Sequence, residues 1–160
     1  MNNRITSLEA LTPVIARLKQ EGKQIVFTNG CFDILHVGHT RYLEAARNTG
    51  DYLVVAVNSD QSVSQLKSDK RPIVPLRQRM EVLSCLHFVD FVLPFDDPDP
   101  YHVIKSLKPS ILIKGGDWLL DQIIGKDLVV ADGGTVMTIP KIKGNSTTSI
   151  INTIINRHHS

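Results

Sequence analysis

Cysteine is nearly absent: two in 160 residues, Cys31 and Cys85, far apart. That excludes a small disulfide-stapled scaffold and points to a reducing compartment. Cys31 falls in a turn, and Cys85 is expected on a buried helix face. No apolar run approaches membrane-spanning length, and Met1-Asn2-Asn3-Arg4 lacks the apolar stretch of a signal peptide, so a cytoplasmic location without membrane contact is expected. Charge of one sign is lacking too. Eighteen basic against 16 acidic side chains leave +2, too little to suggest a nucleic-acid or membrane surface. There is no internal repeat and no low-complexity tract. What is present is a 42% apolar chain of one domain's length, enough to build a core.

Strand and helix patterns alternate. Thr12-Pro13 reads as the start of a helix stopped by Gly22, with Val14, Ile15 and Leu18 on one face. Gln24 to Thr28 reads as a strand, followed by a helix from about His39 that turns Tyr42, Leu43 and Ala46 inward. The wholly apolar stretch Asp51 to Val57 suits a strand covered on both faces. A short helix to Leu66, a proline-stiffened loop from Lys67 to Pro75 and a helix from Leu76 to Leu86 come next. Strands are expected at Phe88–Leu93, Ile111–Lys114, Leu128–Ala131 and Val136–Ile139, with a helix at Tyr101–Leu107 and a last helix capped by Ser146 or Thr147. The pattern predicts one α/β domain over 1–160, Rossmann-like and doubly wound around a mainly parallel sheet. Within it, 1–22 is expected to be a helical extension and 23–157 the core. Ligands of such sheets bind beyond the carboxyl ends of the strands, where Thr28–His39, Asn58, Lys114–Asp117 and Gly144–Ser149 would meet.

The segment Thr28 to His39 joins a strand to a helix through a glycine turn, the arrangement that presents backbone N–H groups to phosphate. His36 and His39 lie three apart on one side of that helix start, and Gly38 removes a side chain where a ligand would approach the backbone. Solvated histidines are the bland reading. Zinc needs a third ligand that neither cysteine is spaced to give, whereas an imidazole N–H can donate to phosphate as negative charge builds. Asp33 either caps a turn or is a catalytic carboxylate. Lys67, Lys70, Arg71, Arg77 and Arg79 form either a solvated face or a phosphate-binding loop. Lys114-Gly115-Gly116-Asp117 marks either a tight turn or a site for phosphate and sugar hydroxyls. Four hydroxyls at Ser146-Thr147-Thr148-Ser149 exceed what one helix cap needs.

Together these residues resemble a known family. His36-Val37-Gly38-His39 matches the HxGH signature of the nucleotidylyltransferase superfamily, and Ser146-Thr147-Thr148-Ser149-Ile150 matches its second phosphate-binding signature. Phe27 to Asp33, Arg71-Pro72-Ile73, Lys114-Gly115-Gly116-Asp117 and Ser146-Thr147-Thr148 look like the heptose 1-phosphate adenylyltransferases. That resemblance runs from about Gly22 to Ile155. It implies in-line attack by D-glycero-β-D-manno-heptose 1-phosphate on the α-phosphorus of ATP, giving ADP-heptose for the lipopolysaccharide core and releasing pyrophosphate. It also implies Mg²⁺ carried by the triphosphate with no protein metal site, a homodimer, and a separate heptose kinase. His36, His39 and Arg79 are the catalytic residues so implied, with Arg79, Thr147 and Thr148 on the β and γ phosphates. Thr28, Asn29, Gly30, Cys31, Phe32, Gly38, Asn58, Ser146, Thr147 and Thr148 would bind nucleotide. Asp33, Asp60, Lys67, Arg71, Lys114, Gly115, Gly116 and Asp117 would bind substrate.

Three rival readings share some of these features. A cytidylyltransferase acting on glycerol 3-phosphate or ethanolamine phosphate would keep both signatures and prefer CTP. A non-catalytic nucleotide-binding module would bind ATP without turnover. A flavodoxin-like carrier would be yellow.

Overall fold

The computed structural model describes residues 3–116 and 118–159, so Asp117 lies outside the described residues. Strands β1 (Ile25–Gly30), β2 (Tyr52–Asn58), β3 (Phe91–Phe95), β4 (Ile111–Gly115) and β5 (Thr135–Ile139) pair in the order β3-β2-β1-β4-β5, parallel throughout. Among the described residues seven α-helices connect and cover them: α1 (Leu8–Gln20), α2 (Val37–Arg47), α3 (Asp60–Leu66), α4 (Leu76–Ser84), α5 (Tyr101–Leu107), α6 (Lys126–Ala131) and α7 (Thr147–His158). The doubly wound reading holds. Chain direction across the sheet reverses between β1 and β4, so a crevice opens at their carboxyl ends.

Strand alternation splits the core in two. Ile25, Phe27, Val54, Ala56 and Leu112 face α1, α5 and α6, with Leu11 and Ile15 of α1 in the same cluster. Val26, Leu53, Val55, Val57 and Ile113 face Leu43 and Ala46 of α2 and Leu83 of α4. Full burial of a leucine contributes roughly 2 kcal/mol, so Leu43, with no exposure, is a principal tie holding α2 to the sheet. The position of α2 matters because its first turn carries both histidines.

Local departures from the sequence reading have physical causes. Helix α1 begins earlier, because Ser7 caps it by accepting from the Ala10 N–H, and Pro13 sits inside the helix. The third strand starts at Phe91, not Phe88. Asp90 ends the preceding turn by accepting from Leu53 N and from Arg47 Nε, 2.8 and 2.9 Å away. Pro94 is tolerated in β3 because that strand is the sheet's edge among the named strands. Leu128 to Ala131 is helical, not extended. A short apolar run does not distinguish the two states, and parallel neighbours β4 and β5 need a crossover between them. Cys85 is exposed rather than buried, and both cysteines are free. In α7 no residue is buried, and Ile154 and Ile155 are about half exposed.

Candidate active site

A cleft of about 660 Å³ opens at the carboxyl edge of the sheet. It brings together Asn29, Gly30, Cys31, Phe32, Asp33, His36, Gly38 and His39 after β1, Asn58 after β2, and Lys67 and Arg71 in the following loop. Lys114 and Gly115 of β4 and Ser146, Thr147 and Thr148 at the start of α7 complete it from the other side.

The histidines occupy its centre for a local reason. His36 is the N-cap of α2, and its Nδ1 accepts from the Gly38 N–H at 3.1 Å. His39 reaches back, its Nδ1 accepting from the His36 N–H at 3.3 Å. This is a capping box built from two imidazoles. Because both Nδ1 atoms are acceptors, each neutral ring carries its proton on Nε2. The rings lie 3.9 Å apart between centroids. Burial pushes His36 below its ordinary value. Burial first, then the neighbouring His36, lowers His39 to about 4. Near neutral pH the pair therefore presents two uncharged N–H donors.

Gly38 has a role the sequence did not disclose. A Cβ there would lie 2.8 Å from His36 Cε1 and 2.9 Å from its Nδ1. The missing side chain makes room for the His36 ring, not only for a ligand. Phe32 buttresses the other histidine, with its ring centroid 5.5 Å from that of His39. Phe32 and Ile34 take left-handed backbone angles (φ 47° and 53°), the kind of strain that persists only where surrounding contacts over-determine the turn.

Asp33 supplies several of those contacts. Its fully buried carboxylate accepts from Arg71 Nε at 2.5 Å, Ile73 N at 2.9 Å and Val74 N at 2.8 Å. Burial alone would raise its pKa, but these donors outweigh it and hold the carboxyl below the usual range. Asp33 lines the cleft, yet its side chain is spent on fixing the loop. Its main-chain oxygen accepts from Thr147 Oγ1 at 2.6 Å, docking α7 onto the same turn.

Four expected site residues fall outside the lining of the cleft. Arg79 is 1% exposed. It donates to Val74 O at 2.9 Å, Cys31 O at 2.5 Å, Asn58 O at 2.8 Å and Asp60 Oδ1 at 2.8 Å. It clamps the loops after β1 and β2 from beneath, and its donors point at protein oxygens rather than at bound phosphate. Asp60, expected at the substrate, pairs with Arg79 and accepts from the Leu76 N–H at the start of α4. Thr28 is fully buried and shares a 2.5 Å hydrogen bond with Tyr42 Oη. Gly116 is buried under the tail of Lys141.

The structure adds residues that the sequence reading missed. Tyr42 lines the cleft, where the sequence suggested only core packing, and donates to Ile113 O at 3.2 Å, bracing β1 against β4. Burial raises its hydroxyl to about 12, so it remains protonated. Lys141 and Ile139 to Ile142 form a wall after β5, and Trp118 stands at the rim with Lys114 Nζ 5.7 Å from its ring. A small apolar annex of about 60 Å³ between Leu112, Trp118, Ile123, Ile124 and Pro100 opens off the cleft beside Asn29 and Lys114. The sole tryptophan, next to Lys114–Asp117, was the one legible hint of this wall. Burial raises the Cys31 thiol above its ordinary value despite Lys67, Arg79 and Arg71, which disfavours the thiolate. Among the described residues no three His, Cys, Asp or Glu side chains converge to hold a metal ion, and no helix is long and apolar enough to cross a membrane.

A model of the cytidylyltransferase-like family matches residues 27–153. Among curated proteins, the bifunctional protein HldE of Geobacter sulfurreducens is 44% identical over 152 residues, covering 95% of this chain and 31% of that protein. HldE of Halorhodospira halophila is 48% identical over 147 residues, covering 92% and 31%. The chain thus spans about a third of the length of these relatives. The solved lipopolysaccharide core biosynthesis protein from Thermoplasma volcanium is 31% identical with a TM-score of 0.62, covering 78% of this chain and all of that one. Pantoate-beta-alanine ligase from Francisella tularensis, solved with β-alanine and a ligand named as βγ-ATP, is 17% identical with a TM-score of 0.60, covering 95% and 77%; it shares the fold alone.

Proposed function

The chain belongs to the cytidylyltransferase-like family and is a nucleotidyltransferase, and on that premise we propose that it transfers the adenylyl group of ATP to D-glycero-β-D-manno-heptose 1-phosphate, giving ADP-heptose and pyrophosphate. The observation that carries the reading is the pair of neutral imidazoles at the centre of the cleft, each with its Nε2–H free of the capping bonds. The heptose assignment is supported by the sequence words around them and by similarity to a protein named for lipopolysaccharide core biosynthesis. Mg²⁺ enters this proposal as the chelate of the triphosphate, neutralising its charge, and among the described residues no protein cage holds it.

A sugar phosphate loses its second proton near pH 6, as phosphoserine does. The attacking oxygen is therefore ionised at neutral pH and needs no general base. Catalysis then rests on positioning and on charge. His36 and His39 donate through Nε2 to the oxygens of the α-phosphate as it becomes crowded and more negative. Donors that carry no charge bind the ground state less tightly than cations would, so more of their interaction is reserved for the transition state. The β2 side of the cleft, with Asn58, Lys67 and Arg71, suits the sugar phosphate. The working unit would be a cytoplasmic homodimer.

The test is a matrix of nucleoside triphosphates against sugar and polyol phosphates, read out as pyrophosphate. Turnover with ATP and heptose 1-phosphate is expected. Preference for CTP with glycerol 3-phosphate would replace the reading with cytidylyl transfer, and ATP binding without turnover would reduce the chain to a binding module. His39→Ala should stay folded and lose turnover by a factor of roughly 100 to 1,000, the usual effect of removing one transition-state donor. Near-normal pyrophosphate release by that variant would remove the histidines from the mechanism.

A further inference from the structure

The order of the strands ranks the basic side chains across the cleft. Lys67 and Arg71 follow β2, the histidines follow β1, Lys114 lies in β4, and Lys141 stands two residues past β5. The two flanks differ in net charge. On the β2 flank the Arg71 guanidinium is paired with the buried Asp33 carboxylate, which leaves Lys67 as the one cation lining that flank without an ion pair among the described residues. On the other flank Lys114 and Lys141 line the cleft, and among the described residues neither has an acidic side chain within ion-pair reach.

Lys141 is directed, not merely present. Gly116 has φ +104°, a conformation that suits glycine, and a Cβ added there would meet Lys141 Cε at 2.9 Å and Nζ at 3.5 Å. The lysine tail therefore crosses the bare backbone of Gly116 and carries its ammonium into the cleft. Lys143, two residues on, does not line it. Uncompensated ammoniums that converge on one cleft repel, and a bound polyanion relieves them. In keeping with that, burial first and then the charges of Lys67 and Lys141 draw the Lys114 ammonium below its ordinary value, against an opposing contribution from Cys31.

In-line displacement at phosphorus puts the incoming and leaving oxygens on opposite sides of the reacting atom. With that atom at the histidines, the two reactant anions go to opposite flanks. Pyrophosphate carries more negative charge than a sugar phosphate dianion, and the β4–β5 flank carries the greater uncompensated positive charge. We propose that Lys141, together with Lys114, forms the subsite that holds the β and γ phosphates and receives the departing pyrophosphate, the place that the sequence reading gave to Arg79 with Thr147 and Thr148. The inference rests on the nucleotidyl-transfer reading and is independent of which sugar phosphate attacks.

Its test is titration calorimetry of the full chain with inorganic pyrophosphate in magnesium buffer, alongside steady-state kinetics. Lys141→Met is an exposed substitution and should leave the fold intact, which a melting curve verifies. It should weaken pyrophosphate binding by at least about tenfold, the scale of one charge-assisted hydrogen bond, while KM for the sugar phosphate stays within about twofold. Lys141→Arg should restore most of the affinity. Lys143→Met should leave it unchanged, which separates a directed contact from general attraction to a basic segment. Unchanged pyrophosphate affinity in Lys141→Met, no binding by the wild-type protein, or a loss confined to the KM of the sugar phosphate would each overturn the assignment. If no heptose phosphate turns over but Lys141→Met still loses pyrophosphate, the sugar assignment fails and the subsite stands.

Discussion

Replacing Arg79 by methionine separates a phosphate ligand from a structural clamp. In the structure its guanidinium serves three main-chain oxygens, of Cys31, Asn58 and Val74, and the carboxylate of Asp60. Asp60 is half exposed and keeps its bond to Leu76 N, so it can turn to water at little cost. The three carbonyls lose their donor in a pocket that admits almost no solvent. An orphaned buried acceptor costs about 1–3 kcal/mol, so taking each near the lower end gives a loss of about 3–5 kcal/mol, the range also found on breaking buried ion pairs. That is a large share of the roughly 5–15 kcal/mol that holds a domain folded. For a chain of this size it should lower Tm by about 6–20 °C, at about 2–4 °C per kcal/mol. Thermal and urea unfolding followed by circular dichroism measure the loss, and ATP affinity measured well below the new Tm should weaken only as the loops after β1 and β2 splay. If Arg79→Met melts within about 2 °C of wild type, against that scale, yet loses turnover, the clamp is wrong and the residue meets phosphate directly.

Three further outcomes are expected. Gly38→Ala drives the His36 ring off the helix terminus, because the new Cβ would lie under 3 Å from two ring atoms; turnover should fall roughly 100-fold while stability drops by about 1 kcal/mol, the worth of a cap, and full activity in the Gly38→Ala variant would refute the packing argument. Asp33→Asn leaves Arg71 without its counter-charge and should destabilise by about 3–5 kcal/mol, with limited proteolysis cutting first in the 71–74 loop; an unaltered urea midpoint would show that the loop stands without it. Acid sensitivity should come in two windows. His39 titrates near 4 when folded against 6.5 ordinarily, so as pH falls from 6.5 the unfolded chain takes up its proton first, and stability drops until about pH 4. The gap sets a ceiling of about 3 kcal/mol, less where cleft water screens the ring. Asp33 stabilises above its ordinary 3.8, and that contribution is lost as pH falls through its lower folded value. Urea midpoints across pH should show both windows, and His39→Gln should shrink the upper one to the part that His36 contributes while leaving the lower one; a flat profile between 6.5 and 4 would contradict the burial of His39.

The sheet was legible because its strands are apolar on both faces, which only a covered parallel sheet requires, and because the connections are helical in period. Where local signals were ambiguous the reading slipped. Leu128-Val129-Val130-Ala131 carries strand-like residues in a helix, since only Val129 is buried and topology, not propensity, dictates the crossover. Phe88 looked like the start of β3, but Asp90 stops pairing before Phe91 by turning its carboxylate onto the neighbouring strand. Thr12-Pro13 has the composition of a helix start, yet Ser7 performs the cap one turn and more upstream, where it can satisfy the Ala10 N–H. Each slip involves an interaction between residues that are not neighbours in the chain, or a burial that composition does not specify.

The site shows the same division more sharply, because a side chain that binds phosphate and one that fixes a phosphate-binding loop are chosen for the same chemistry. Arginine and aspartate near an anion site satisfy either role, and only geometry separates them. Arg79 and Asp33 spend their hydrogen bonds on the turn 31–34 and the loop 71–74, so the histidines are held by a frame whose composition resembles a second active site. The pair His36 and His39 was legible because two imidazoles and a glycine at a helix start are hard to explain by packing alone. Lys141 was not, because a lysine beyond an edge strand is ordinarily solvated and nothing local says that its tail crosses Gly116. The distinction has a consequence for mutation. Removing a clamp should cost stability first and activity through it, whereas removing a ligand should cost affinity or turnover at unchanged Tm. Melting temperature and pyrophosphate affinity measured together on Arg79→Met and Lys141→Met should therefore move on different axes, and a pair that moves on the same axis would show that one of them has been placed in the wrong role.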